Sequence, residues 1–434
     1  MSDTIEHMFD TLPAMPPGDD EKALIAHIAM LERLKSAAAA AQARAAAAFA
    51  TARRDADAAA GMPVRRQGRG VAAEIALARQ DSPARGSRHL GFATALVHEM
   101  PHTLAALEAG ALSEWRATLI VRESACLDVE DRRALDEELC ADSARLAGLG
   151  DRRITAEARA IAYRRDPHAV VDRAVRAESD RSVTIRPAPD CMTYLTALLP
   201  MAHGVAAYAA LKKAADTTGD GRSRGQVMAD TLFERVTGRS AASAVPIAVN
   251  LVLSDASMLG GATDAATVPG YGPIPAAVAR QLIACAAGDR DSRAAVRRLY
   301  RHPKSGALVA MESRARIFPA GLSRFIALRD QTCRTPYCDA PIRHTDHAAP
   351  ACRGGPTSAG NGDGLCEACN YAKQAPGWSV ITHTDDNGTH TAVLTTPAGH
   401  TYQSTAPPIA GPPARVDTGL METSIGVALA RHAA

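Results

Sequence analysis

The chain has 434 residues, a formal net charge of +2 and only 4% aromatic side chains. That length accommodates two or three domains with substantial cores. The near balance of charge excludes a global electrostatic pull towards nucleic acid, and the scarcity of aromatics argues against base stacking as the main binding mode.

Residues 1–19 are polar and contain Pro and Gly without the basic-then-apolar order of a signal peptide, so a disordered leader is expected. Residues 20–54 carry Leu24, Ile25, Ile28, Leu31 and Leu34 at helical spacing, and 36–52 are dense in alanine, which favours a helix. Further helices are expected at 70–78, 87–98, 102–109, 113–123, 129–147 and 155–179. Nine arginines fall within 152–186, interleaved with Asp and Glu, the pattern of a salt-bridged solvent face rather than a DNA stripe.

SVTIRP (182–187) and PIAVNLVL (246–253) are rich in β-branched residues and predict strands. Helices are expected at 195–215 and 223–236. Residues 191–211 lack charge, but Pro200, His203 and Gly204 interrupt them, so a buried helix pair is expected rather than a membrane span. A Gly/Pro loop at 263–275, a helix at 276–286, a hairpin at 299–311 and a helix at 319–331 starting near Pro319 complete the stretch before the cysteines. After them, 378–384, 389–395 and 401–404 predict a small meander in which His383, His390 and His400 are surface residues. A flexible tail follows at 406–434.

Cys333 and Cys338 are separated by four residues, Cys366 and Cys369 by two, with 27 residues between the pairs. Four thiolates so placed can close a tetrahedron on Zn²⁺ with no open position, a structural rather than a catalytic arrangement. Cys126, Cys140, Cys191, Cys285 and Cys352 have no such spacing and are expected to be buried thiols. Scattered free thiols without a signal sequence predict a reducing, cytoplasmic setting.

Within the cysteine frame, 342–347 predicts a strand, 348–360 a loop and 365–374 a helix start. Closing these three elements brings Asp346, His347, Asn361 and Asn370 together. The order Asp346-His347, Pro350, Gly354-Gly355, Asn361, Cys366-Glu367-Ala368-Cys369-Asn370 and Lys373 resembles the HNH endonuclease family, in a variant with Asn370 as its third letter.

The resemblance implies a ββα-metal fold and cleavage of DNA phosphodiesters to a 5′-phosphate and a 3′-hydroxyl. It makes His347 the general base and Asp346 and Asn370 the protein ligands of Mg²⁺ or Mn²⁺. Asn361 would brace the loop opposite His347 and fix the imidazole's orientation through a hydrogen bond, and Lys373 would reach a phosphate oxygen. His344, two residues before Asp346 on the same strand face, is an alternative ligand. Residues 301–380 hold ten Lys/Arg against six Asp/Glu, so positive charge collects around the site.

Upstream, RPAPDCMTYLTALLPMAHGVAAYAAL and SRGQVMADTLFERV look like the helical domain of unknown function that precedes HNH modules in many proteins of high-GC bacteria. That resemblance spans roughly 20–310 and assigns no chemistry; DNA positioning or homo-oligomer formation are the roles it leaves open. The expected organisation is therefore α+β: leader 1–19, mainly helical domain 20–312, zinc-stapled HNH domain with its β extension 313–405, and tail 406–434. Two rivals remain, a zinc-stabilised nucleic-acid-binding protein with little catalysis and an interaction protein acting through its helices.

Overall fold

The computed structural model describes residues 6–7, 10–14, 20–241, 263–268, 271–288, 317–386 and 388–408, with side chains excepted at 143 and 285–288. It is a mixed α+β structure whose contacts divide it into two units, residues 1–75 with 84–176 and residues 76–83 with 177–434. The expected strand at 246–253 and hairpin at 299–311 lie outside the described residues, as do most of the leader and residues 409–434 of the tail.

The first unit is helical. Its long helix α1 (Glu21–Ala59) starts where the Asp20 carboxylate accepts the Ala23 amide. α2 (Val71–Ala78), α3 (Pro83–His98), α4 (Pro101–Glu108), α5 (Glu114–Ser124), α6 (Val129–Cys140), α7 (Asp151–Arg165) and α8 (Pro167–Ala177) follow. Ser113 caps α5 and Asp128 caps α6, each satisfying an amide left open at the helix start. α4 has no capping side chain of its own, and the buried Asp136 of α6 takes its place by accepting the amides of His102 and Thr103 at 2.7 and 2.8 Å.

The core of this unit is apolar: Leu96, Met100, Leu107, Ile120, Leu135, Leu139 and Ile154 meet in one cluster. On α1 the alanine-dense half does the packing, with Ala39, Ala40, Ala43, Ala47 and Ala50 buried, whereas Leu24, Ile25, Ile28 and Leu31 stay exposed. Alanines admit a close helix approach, which the larger residues of the first turns do not use.

Two expected helices are shorter than anticipated. The one at 129–147 ends at Cys140, followed by a 3₁₀ turn, Ser143–Leu146. The one at 155–179 is two helices, because Pro167 forces Asp166 into an extended conformation (φ −139°). The arginines do pair with acids: Arg159 with Glu123 at 3.2 Å, and Arg164 with Glu138 at 2.6 Å. The Arg164 hydrogen bond holds the Glu138 carboxyl below its ordinary range.

In the second unit, β1 (Ser182–Ala188) and β2 (Met192–Leu198) form an antiparallel hairpin. This corrects the expected helix at 195–215: MTYLTAL pairs as a strand, and helix α9 (Met201–Thr217) begins only after Pro200. The expected buried helix pair at 191–211 is likewise a strand and a helix start whose large apolar residues are exposed, Met201 at 83%. Cys191, expected to be buried, is exposed in the turn at φ 59°, and Cys352 is exposed too.

α10 (Arg224–Thr237) carries a full capping box, Ser223 with Gln226, and ends at the left-handed Gly238. The expected Gly/Pro loop contains a short hairpin, β3 (Ala266–Val268) with β4 (Gly272–Ile274), before helix α11 (Ala276–Gly288). No helix among the described residues is long and apolar enough to cross a membrane.

Helix α12 (Ala320–Asp330) then leads into the cysteine segment. There β5 (His344–His347) pairs antiparallel with β6 (Gly362–Leu365), and helix α13 (Glu367–Lys373) follows at once. β7 (Ser379–Thr384), β8 (His390–Thr395) and β9 (Thr401–Thr405) form the expected meander.

Candidate functional site

Three stretches of chain bring the four cysteines together. Cys333 leaves α12 through Gln331 at φ 61°, and Cys338 closes a tight turn with Tyr337 at φ 63°. Cys333 N–H closes this loop by donating to Ala340 O, and Arg334 N–H ties it to β6 by donating to Gly364 O, each at 2.9 Å. Cys366 is the N-cap of α13, its sulfur accepting the Cys369 amide at 3.4 Å.

All four sulfurs are buried within 4.8 Å of one another, with Cys338 3.8 Å from Cys366 and 3.6 Å from Cys369. A tetrahedral zinc with Zn–S near 2.3 Å requires sulfurs about 3.8 Å apart, so the cluster fits a closed zinc site. Hydrogen bonding within the group divides the thiols, because four charges cannot sit side by side without a cation. Cys333 is drawn below the ordinary thiol range through Cys338 and Cys366 through Cys333, while Cys338 and Cys369 are driven above it through Cys333.

Beside this cluster, the strand pair and α13 carry the polar residues expected from the sequence, and Lys373 of α13 is bonded to both Asp346 and His347. Asp346 and His347 occupy consecutive positions of β5, opposite Asp363 and Gly362 of β6. The Asp346 side chain is 31% exposed, whereas His347 is buried, its ring 4.6 Å from that of Phe318 and its Nδ1 4.0 Å from Asp346 Oδ1. Asn370, on α13, is buried, and its Oδ1 accepts no hydrogen bond among the described residues. His344 keeps its place on the same strand, its ring 6.3 Å from that of Tyr371.

Two residues expected from the sequence have other partners in the structure, and Asn361 braces the loop as expected without touching the imidazole. Asn361 spends its amide on the backbone: its Nδ2 donates to Ala349 O (3.0 Å) and Pro356 O (2.8 Å), and its Oδ1 accepts the Ala349 amide (2.8 Å). The imidazole instead shares a hydrogen bond between Nε2 and Thr357 Oγ1 at 2.8 Å. Lys373 does not extend freely towards a phosphate, because its ammonium lies 2.8 Å from Asp346 Oδ2 and donates to His347 O at 2.6 Å. A third expectation fails at His390, which is buried rather than on the surface. Its Nε2 contacts Gly360 O at 3.0 Å, and burial pushes its pKa down to about 4.

A buried charge network supports this arrangement. Arg329 grips Asp330 with two hydrogen bonds, 2.7 and 3.0 Å, and donates to Gly362 O at 2.6 Å, while Asp330 accepts the Gly364 amide at 2.7 Å. Arg334 donates to His390 O at 3.2 Å and to Ser404 O at 2.8 Å, tying the cysteine loop to the meander. Asp363 sits among these charges, and burial followed by the nearness of Asp330 raises its pKa to about 6. Arg329, Asp330, Arg334 and Thr357 carry no motif that marks them in the sequence; only the Pro-Thr-Ser after the glycine pair signals a turn.

The family described as Domain of unknown function (DUF222) matches residues 28–330. No curated protein and no solved structure matches the chain. The match ends three residues before Cys333, so the cysteine cluster, His347 and Asn370 all lie beyond it.

Proposed function

Because the chain belongs to the DUF222 family, whose description assigns no chemistry, we propose its function from the segment beyond the match. That segment is an HNH-type endonuclease that hydrolyses DNA phosphodiester bonds, held in shape by one zinc on Cys333, Cys338, Cys366 and Cys369. The family is one commonly found with HNH endonuclease domains, which supports the reading. The observation that carries it is Asn370 Oδ1, one of several buried atoms without a hydrogen-bond partner among the described residues, and the one on the helix that follows the strand pair of Asp346 and His347.

A buried carbonyl oxygen without a donor costs about 1–3 kcal/mol, and a cation is one way to satisfy it. Asp346 and Asn370 supply hard oxygen donors, which suit Mg²⁺ or Mn²⁺ rather than a thiolate-seeking metal. Bound there, such an ion supplies Lewis-acid stabilisation of the charge that develops on the phosphate. His347 takes the proton of the attacking water. The surplus of arginines in 301–380 favours a phosphodiester backbone.

Lys373 favours a second reading. Its ammonium, 2.8 Å from Asp346 Oδ2, neutralises the carboxylate that a divalent cation would need. On that reading the segment is a zinc-stabilised nucleic-acid-binding module with little catalysis. Plasmid nicking in Mg²⁺ and in Mn²⁺ separates the two: wild type nicks and His347→Ala loses about 10²–10⁴-fold in rate. If both proteins shift DNA and neither nicks it, the binding module is the correct reading.

A further inference from the structure

We infer that Thr357 is the positioning residue that sets the orientation of the His347 imidazole, an inference that rests on the reading of His347 as general base. Both side chains are buried, and the Nε2–Oγ1 distance of 2.8 Å is that of a well-formed hydrogen bond. Phe318 closes one side of the ring at 4.6 Å. A ring held on one edge by a hydroxyl and on one face by an aromatic cannot spin between rotamers without breaking a buried hydrogen bond.

The loop from 349 to 361 is built to deliver that hydroxyl. Asn361 clamps it across its neck, bonding the amide and carbonyl of Ala349 and the carbonyl of Pro356, the residue immediately before Thr357. Ser358 Oγ accepts the Asn361 amide at 3.1 Å and tightens the return. Gly355 lets the two arms meet, since a Cβ there would stand 1.8 Å from Ala349 O. Asn361 therefore acts on the imidazole at one remove: it fixes Pro356, and Pro356 fixes Thr357.

The test uses the full-length zinc-loaded chain and three variants: Thr357→Val, which keeps the shape and removes the hydroxyl, Thr357→Ser, which restores it, and Thr357→Ala as a second deletion should valine disturb folding. Imidazole ¹⁵N resonances report directly on the hydrogen bond, with the His347 signal among the 14 histidines assigned by its loss in His347→Gln. The Nε2 resonance should move in the Val and Ala variants and return in the Ser variant. For plasmid nicking, kcat should fall about 10–100-fold in Val and Ala with KM for DNA unchanged, and recover in Ser. An unmoved Nε2 resonance in both deletion variants overturns the inference, as does unchanged kcat beside an active wild type. Should the wild type fail to nick while the resonance behaves as stated, the endonuclease reading falls and the orientation by Thr357 stands.

Discussion

The helical unit and the cysteine-bracketed segment bury different kinds of group. In the first, the centre is Leu96, Met100, Leu107, Ile120, Leu135 and Ile154, and the buried acid Asp136 does a structural task by capping α4. In the second, Arg329, Asp330, Arg334, His347, Asn361, Asp363, Asn370 and His390 are all buried within about sixty residues of one another in sequence. Buried charge and amide are costly unless paired, so a segment that concentrates them depends on cross-links and networks where the helical unit depends on apolar area. The contrast extends to buried side-chain atoms without a hydrogen-bond partner among the described residues, which, apart from Glu74 Oε1, lie in the second region, Asn370 Oδ1 among them.

Removing the staple should produce the largest break in this comparison. Cys366→Ser, or a strong chelator, should abolish zinc binding and the fold of the cysteine segment, a loss on the order of 10 kcal/mol. The thermal transition of the helical unit should persist, as read by circular dichroism alongside zinc analysis. Next comes the charge network: Asp330→Asn leaves Arg329 and Arg334 buried without their shared partner and should destabilise the segment by about 3–5 kcal/mol in denaturant titration.

Smaller and opposite pH effects are expected from His390 and Asp363. His390 resists, when folded, the proton that the unfolded chain accepts below pH 6.5, so its contribution is present above 6.5 and lost as pH falls towards 4. Asp363 keeps a proton that the unfolded chain gives up above 3.8, so its contribution is present below 3.8 and lost as pH rises through about 6. The two offset each other between pH 4 and 6. Asp363→Asn removes the offset, and stability should then fall more steeply on acidification, by roughly 2–3 kcal/mol over that window. Identical pH slopes for the variant and wild type would refute the assignment. The smallest effect is expected in the helical unit, where Asp128→Ala deletes the cap of α6 and costs about 1 kcal/mol with zinc content unchanged.

The cysteine spacing and the meander were legible in the sequence because each rests on local pattern: two short metal-ligand spacings, and alternating β-branched residues punctuated by Gly388 and Gly399. The early part of α1 shows the limit of periodicity. Leu24, Ile25, Ile28 and Leu31 make a convincing stripe, yet alanines further along bury instead, because partner geometry decides which face is used. The uncharged run from 191 to 211 misled for a related reason: absence of charge fits a helix and a strand alike, and only pairing with SVTIRPA resolves MTYLTAL as a strand.

Within the site, residue identity was readable and hydrogen-bond partners were not. Asn361 and Lys373 lie where the motif places them and Thr357 is in no motif, yet it is Thr357 that bonds the imidazole, a choice made by side-chain geometry across a thirteen-residue loop. His390 looked like a surface residue because it alternates with threonines, and it is buried because its position in β8 faces Gly360.

Two metal centres are proposed in this segment, one holding the fold on four cysteines and one performing the cleavage at Asp346 and Asn370. Zinc content and Mn²⁺-dependent plasmid nicking, measured on one preparation of Asn370→Ala, test this proposal most directly. About one zinc per chain is expected, as in wild type, with nicking reduced about 10–100-fold. Full nicking with zinc retained would contradict it, because the orphaned oxygen would then have no part in the chemistry.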